Sequence, residues 1–253
     1  MPLQHLSKSQ LLDRYNIFKK TPRVCIGVCV HRDISPETFY CLNTLYACRD
    51  LLIGIRMERG DALIARSRSI LASKFLKDNL EDILLFIDDD IIFSINDVIK
   101  ITQDITKEGL DIVGGAYVTK SDIQPTLQQK IFKDQEIRFG VNSKPVEVRY
   151  VSTGFMAISR NALEIISKDK KLCYPQEFYA FFQTFEEEIE DKNRFLGEDW
   201  YFCETAKRYG LKSYLDPSIQ LGHVGKYIYT IADIHRPKRV EYKESVYSED
   251  YKE

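Results

Sequence analysis

The sequence is short of several features that would assign it quickly. Its six cysteines (Cys25, Cys29, Cys41, Cys48, Cys173, Cys203) form no Cys-x-x-Cys pair, so reduced, packed thiols are expected. No apolar run is long enough to span a bilayer, and Met1 to Lys20 alternates polar and apolar residues without a signal-peptide core. Together these point to a cytoplasmic protein, with membrane attachment no more than peripheral. Neither sign of charge prevails: 36 Lys and Arg stand against 38 Asp and Glu, and a net charge of -2 gives no global attraction to nucleic acid. Of the four histidines, at positions 5, 31, 223 and 235, only His223 lies in a segment that looks like a site, which argues against a two-metal phosphohydrolase centre with its several histidine and carboxylate ligands. Low-complexity stretches are absent, and 44% hydrophobic with 29% charged residues is ordinary for a globular chain.

What is present reads as one α/β domain, which 253 residues can fill with a single substantial core. Arg23 to Val30 is apolar on both alternating faces, as in a buried strand of a mostly parallel sheet, and it runs into the polar loop His31-Arg32-Asp33. Leu63, Ile64, Ile70, Leu71 and Phe75 recur at helical spacing, predicting a helix capped by Asp61 and reaching about Lys77. On that helix Arg66 borders the apolar stripe and Arg68 points away. Ile83 to Ile87 reads as a central strand that stops at Asp88-Asp89-Asp90. A helix over Asn96 to Glu108 closes at Gly109, and Asp111 to Val113 is a strand entering Gly114-Gly115. Thr119 to Pro145 carries turn formers and reads as hairpins or loops.

Further on, Val146 to Val151 and Phe155 to Ile158 read as strands around Ser152-Thr153-Gly154, and Asn161 to Glu164 has capping-box spacing. Six aromatics crowd Tyr174 to Phe185, predicting a hydrophobic helix or lid, with a sugar-binding lid as the sharper alternative. The acidic run Glu186 to Asp191 reads as a solvated face. Asp199 to Tyr209 is a helix ending at Gly210; Lys212 to Leu215 and Ile219 to Val224 are strands. The division expected is an amino-terminal extension (1–22), the domain (23–225) and a polar, tyrosine-rich tail (226–253).

Three aspartates in a row after a buried strand repel one another unless water, donors or a cation neutralise them. If the chain stays extended there, Asp88 and Asp90 project to one side as a chelating pair and Asp89 to the other. Hard oxygen ligands of this kind suit Mg²⁺ or Mn²⁺ bridging phosphates. The bland alternative is a solvated turn that caps the helix near Asn96.

At this point the sequence resembles a family, the GT-A glycosyltransferases close to the family-2-like group with a DxD motif. The resemblance rests on Phe86-Ile-Asp88-Asp-Asp90-Ile, Val113-Gly-Gly-Ala-Tyr117, Ser152-Thr-Gly154-Phe-Met-Ala-Ile-Ser159, Leu196-Gly-Glu198-Asp199-Trp200-Tyr-Phe-Cys203 and Leu221-Gly-His223-Val-Gly225. They follow in the family's order over roughly residues 23 to 225. The implied fold is a single Rossmann-like GT-A domain with a mostly parallel sheet flanked by helices. The implied reaction moves a sugar from a UDP- or GDP-sugar to a glycan or other hydroxyl acceptor.

The resemblance also implies roles. His31 and Arg32 should lie near the base and Arg66 near the nucleotide or its phosphates. Asp88 and Asp89 should meet the ribose or sugar. Asp90, with Asp88 beside it, should bind Mn²⁺ or Mg²⁺, and His223 should supply the other protein ligand. In the inverting members the aspartate matching Asp199 is the general base; the competing reading is that Glu198-Asp199 only caps a helix. Gly154 would let backbone approach sugar or acceptor, and Gly222 and Gly225 would do the same around His223. Glu198 and Trp200 would sit on the acceptor side, with Trp200 stacking on a ring. Lys120 is either a phosphate contact or a solvated lysine. The competing functions are a nucleotidyltransferase on a related fold and a non-catalytic module that binds nucleotide-sugars or glycans.

Overall fold

A computed structural model describes residues 22–47, 52–78, 80–120, 135–189, 192–235 and 246–248. The extension up to residue 21, Cys48, and the Ser121-Asp122 turn lie outside the described residues. The chain runs β1 (Arg23–Val30), α1 (Pro36–Tyr46), β2 (Leu52–Arg59), α2 (Ile64–Asp78), β3 (Ile83–Ile87), β4 (Ile91–Ile92), α3 (Ile95–Thr106) and β5 (Ile112–Ala116). It continues through β6 (Ile137–Phe139), β7 (Val146–Val148), β8 (Phe155–Ser159), α4 (Arg160–Ser167), β9 (Leu172–Cys173), β10 (Phe178–Tyr179), β11 (Phe185–Ile189) and β12 (Lys192–Leu196). The last elements are α5 (Glu198–Arg208), β13 (Ser213–Gln220), β14 (Gly222–Val224), β15 (Ile228–Tyr229), a 3₁₀ turn (Ile231–His235) and β16 (Val246–Ser248).

Seven strands form one sheet in the order β2-β1-β3-β8-β5-β13-β7. β1 runs parallel to β2 and β3, and β13 parallel to β5, while β8 is antiparallel to both β3 and β5 and β7 antiparallel to β13. The sheet is therefore mainly parallel and the fold Rossmann-like, with one reversed strand at its centre. β1 and β3 alternate between two cores, as their unbroken apolar runs require. Cys25, Cys29, Leu84 and Phe86 face one layer with Leu71 and Phe75 of α2, Leu163 and Ile166 of α4 and Phe202 of α5. Val24, Ile26, Val28, Ile83 and Leu85 face the other, with Leu42 and Leu45 of α1 and Val98, Ile101 and Ile105 of α3. At about 1.5–3 kcal/mol for each large apolar side chain buried, these two layers are the main source of stability.

Several local expectations shift. The segment 34–60, which carries no assignment from the sequence, holds α1 and β2. Asp61 does not cap α2, which opens at Ile64; its carboxylate accepts the Leu63 amide at 2.9 Å and the Arg66 guanidinium. Ser159 caps α4 in place of Asn161, its hydroxyl accepting from the Ala162 amide, because the helix starts directly at the end of β8. Ser94 and Asp97 form a true capping box at α3. The aromatic segment is not a helix: it forms the β9–β10 hairpin and then sends Phe181 and Phe182 into the core. There Phe182 stacks on Phe202 at 4.6 Å and meets Phe86 edge-on at 5.3 Å. Of the acidic run, Glu186 to Glu188 lie on β11, which pairs antiparallel with β12 ahead of α5, while Glu190 and Asp191 lie outside the described residues. Tyr229 and Ile231, past position 225, are buried in the core. The described cysteines are free thiols.

Candidate active site

The site lies where β1, β3 and β5 end and the chain after β13 returns. β3 stops at Asp88 and the chain turns at once, the Ile91 amide reaching back to the Asp88 carbonyl at 3.3 Å. That turn breaks the extended geometry on which a shared side for Asp88 and Asp90 depends, so the two carboxylates serve different partners. Asp88 pairs with Arg68 at 2.6 Å. Asp90 pairs with Lys120 and has Oδ1 3.4 Å from His223 Nε2. Asp89 accepts a backbone hydrogen bond from His31, and its carbonyl accepts from the Ser35 amide at 2.8 Å, tying the aspartate loop to the loop after β1.

The Asp90–His223 pair is made by backbone register. β4, two residues long, pairs antiparallel with β14, setting Ile91 opposite His223 and Ile92 opposite Gly222, while the Val224 amide donates to the Asp90 carbonyl at 2.8 Å. The imidazole is oriented from behind, its Nδ1 2.7 Å from the Val118 carbonyl. A carbonyl only accepts, so Nδ1 carries the proton, and in the neutral ring the Nε2 lone pair faces Asp90. Two electron-rich atoms in that relation need positive charge between or beside them.

Electrostatics within the cluster diverge. Burial pushes the Asp90 carboxyl up, but the protonated form of His223, in which Nε2–H donates to Asp90, and Lys120 outweigh it and hold the group below the ordinary carboxylate value. Asp89 is raised, first by burial and then by Asp90 and Asp88. Glu198 is raised by burial despite Arg68 beside it. Arg68 is 4% exposed; burial works against its charge, yet Asp88 and Glu198 more than offset that and raise its pKa. Cys29, in the cleft wall, is pushed up to about 12 by burial, so its thiol is inert at neutral pH.

An open cleft of about 550 Å³ is lined by Cys29 to His31, Asp61, Ala62, Ile64, Ser67, Arg68 and Asp88 to Asp90. Of the residues expected near a donor, His31, Asp88 and Asp89 thus line it. Arg32 is exposed beside it. Arg66 is not in the wall: it turns outward, 45% exposed, onto Asp61 at 2.5 Å. The arginine that enters the site is Arg68, the residue expected to point away. Ile64, Arg68, Leu71 and Phe75 follow the spacing i, i+4, i+7 and i+11, one face of a helix, and that phase was the signal available in the sequence.

The glycines serve packing more than ligand approach. A Cβ on Gly154 would lie 2.3 Å from the Tyr117 hydroxyl, which accepts the Gly154 amide at 3.2 Å. Tyr117, buried and with its phenol pKa raised by burial and then by Asp88, sets its ring edge-on to His223 at 5.3 Å. Gly222 makes room for Ile92 and Ile228, and Gly225 for Tyr229 and the Lys120 stem. Tyr117 is a further site residue that sequence reasoning left without a role.

The first turn of α5 is joined to the cleft through Glu198 and Arg68. Its N-cap is Gly197, which has no side chain to cap with, so Glu198 and Asp199 occupy the first two helical positions instead of capping. An Asp199 oxygen accepts the Trp200 amide at 2.9 Å. Trp200 stacks on Tyr150 at 4.8 Å with planes 8° apart, so one face of the indole is taken. Tyr150 is held in turn by Glu204 at 2.5 Å, and Glu204 by Arg149. Glu198 reaches across to the Arg68 guanidinium.

Among the described residues, no group of three or more His, Cys, Asp or Glu side chains converges to hold an ion alone. Asp90 and His223 nevertheless fit two adjacent positions on one hard cation: ligands at about 2.1 Å and right angles lie about 3 Å apart, and the Nδ1 contact with a carbonyl is the usual support of a ligating histidine. Among the described residues, no helix is long and apolar enough to cross a membrane.

No protein-family model and no curated protein matches the chain. Among solved structures, A197 from STIV is similar with a TM-score of 0.54 at 20% identity, covering 88% of this chain and 100% of that one. GalNAc-T7 with UDP, GalNAc and Mn²⁺ follows at a TM-score of 0.47 and 11% identity, over 83% of this chain and 45% of that one. CMP:2-keto-3-deoxy-manno-octonic acid synthetase complexed with CTP gives 0.43 and 10%, over 76% and 88%. With A197, the likeness is one of fold along nearly the whole described chain.

Proposed function

We propose that this protein is a metal-dependent glycosyltransferase that moves a sugar from a UDP- or GDP-sugar to a hydroxyl of a glycan or other acceptor, with inversion. The observation that carries the reading is the Asp90–His223 pair: a carboxylate and an imidazole brought together by β4–β14 pairing, with the ring tautomer set so that Nε2 faces the carboxylate. Mn²⁺ or Mg²⁺ held there would neutralise the diphosphate as it leaves. His31 and Asp89 border the cleft for the nucleoside, and Lys120 is within reach of a phosphate if it leaves Asp90.

Asp199 supports the acceptor half of the reaction. The acceptor oxygen bonds to the anomeric carbon as the bond from that carbon to the diphosphate oxygen breaks. The electron pair leaves with the nucleoside diphosphate, and the hydroxyl proton goes to the Asp199 carboxylate. The Asp199 carboxylate stands in the first turn of α5 and acts late, once departure of the leaving group has made the hydroxyl acidic. Titration calorimetry of UDP and GDP, with chelator and then with Mn²⁺, tests the reading. Tight binding only with metal is expected, and equal affinity in both conditions overturns the metal-bridged donor.

A further inference from the structure

We infer that Arg68 is a positioning residue that fastens the acceptor-side helix to the donor loop, so that occupancy of the cleft is felt at Asp199 and Trp200. Arg68 lies on α2 and its guanidinium spans two segments far apart in sequence. One terminal nitrogen meets Asp88 at the end of β3 and the other meets Glu198 at the start of α5. Its side chain is 5% exposed, and Nε, buried beside the cleft, has no hydrogen-bond partner.

A buried guanidinium is retained at a cost in desolvation unless both of its carboxylates stay in place, so the three groups move as a unit. The bridge is also a charged contact to the turn in which Asp199 sits. Gly197 supplies no cap, and the first backbone bond of the helix, Tyr201 amide to Gly197 carbonyl at 2.9 Å, begins one residue before Glu198. Removing Arg68 leaves that turn held by Asp199's bond to the Trp200 amide and by the Trp200–Tyr150 stack. The bridge itself belongs to the structure, whereas its effect on turnover rests on the sugar-transfer reading.

Trp200 is the single tryptophan of the chain, so intrinsic fluorescence reports this turn directly. The test compares wild type, Arg68→Lys, Glu198→Gln and the double variant by amide hydrogen exchange and tryptophan emission, first without ligand and then with UDP and Mn²⁺. Lysine keeps the charge but lacks the fork that reaches both carboxylates. Exchange at the Tyr201 amide should rise roughly tenfold in each single variant and no further in the double, the non-additivity of residues in one network.

With ligand, wild-type emission should shift, and the shift should vanish in both single variants even where calorimetry still records binding. Additive effects in the free protein, or an unchanged Tyr201 amide in Glu198→Gln, overturn the coupling. If Arg68→Lys fails to fold, Glu198→Gln alone decides, since it removes the same bridge from the more exposed side. A wild type that binds neither UDP nor GDP sinks the sugar-transfer reading, while the ligand-free exchange data still judge the bridge.

Discussion

Two buried clusters of carboxylates lie in this fold, and they differ in what surrounds them. At the cleft, Asp88 and Asp90 each meet a cation from another segment, Arg68 for one and Lys120 with His223 for the other, and Asp90 is held below its ordinary value. Behind α3, Asp104 and Asp216 share one lysine, Lys100, at 2.5 and 2.6 Å. There Asp104 is raised to about 7, by burial first and with Asp216 adding to it against Lys100. One set is partly open, at 29–31% side-chain exposure for Asp90 and Asp88; the other is sealed at 2% and 0%. Burial of acids is thus no mark of a site by itself. What distinguishes the first set is opposite charge delivered from separate strands and helices into a cleft.

The largest expected effect falls in the first turn of α5. Asp199→Asn should keep its melting temperature and donor binding yet lose transfer by about 10²–10⁴-fold, the usual worth of a general base; a rate close to wild type, or a product of retained configuration by NMR, removes Asp199 from that role. Next, Asp90→Ala and His223→Ala should each abolish the Mn²⁺ dependence of nucleoside diphosphate binding with circular dichroism unchanged. Wild-type metal dependence in either variant strikes that residue from the ion.

Gly154→Ala tests packing under the site. A methyl placed 2.3 Å from the Tyr117 hydroxyl must push the ring off His223, at about 1–3 kcal/mol of stability; denaturant midpoints measure it, and Gly154→Ala with Tyr117→Phe should recover little, since the ring carbons also clash at 2.6 Å.

The sealed cluster gives the smallest effect and the clearest sign. Asp104 binds its proton more tightly folded than unfolded, so its contribution is full below 3.8 and is lost as pH rises to about 7. Melting temperature should therefore fall less steeply between pH 4.5 and 7 in Asp104→Asn than in wild type. Parallel slopes would contradict the raised value.

Much of the cleft wall was legible in the sequence because its signals are local. Ile83 to Ile87 had to be a buried strand, three aspartates had to follow it, and His223 stood between glycines near the end of another. The phase of α2 was legible too and set Arg68 on the apolar face, but a buried charge reads as a break in an apolar stripe unless its partners are known. Those partners, Asp88 and Glu198, come from two other elements and leave no trace in the helix itself. The glycines misled for a similar reason: room made for a ligand and room made for Tyr117 or Tyr229 look identical in one dimension. The meeting of His223 with Asp90 depends on the β4–β14 pairing, a contact no local pattern announces.

That pairing has a consequence for when the site exists. Asp90 is laid down early in the chain, but the residue that faces it arrives half the chain later, on a strand of three residues that docks against one of two. Contacts between such distant segments close late, after the loop entropy between them has been met by other contacts. During synthesis the cleft wall, built largely from the ends of β1 and β3 and the start of α2, is complete in sequence long before His223 leaves the ribosome. A chain stopped short of β14 would hold the aspartates and the cleft wall and lack the imidazole, so the Asp90–His223 pair is completed near the end of folding.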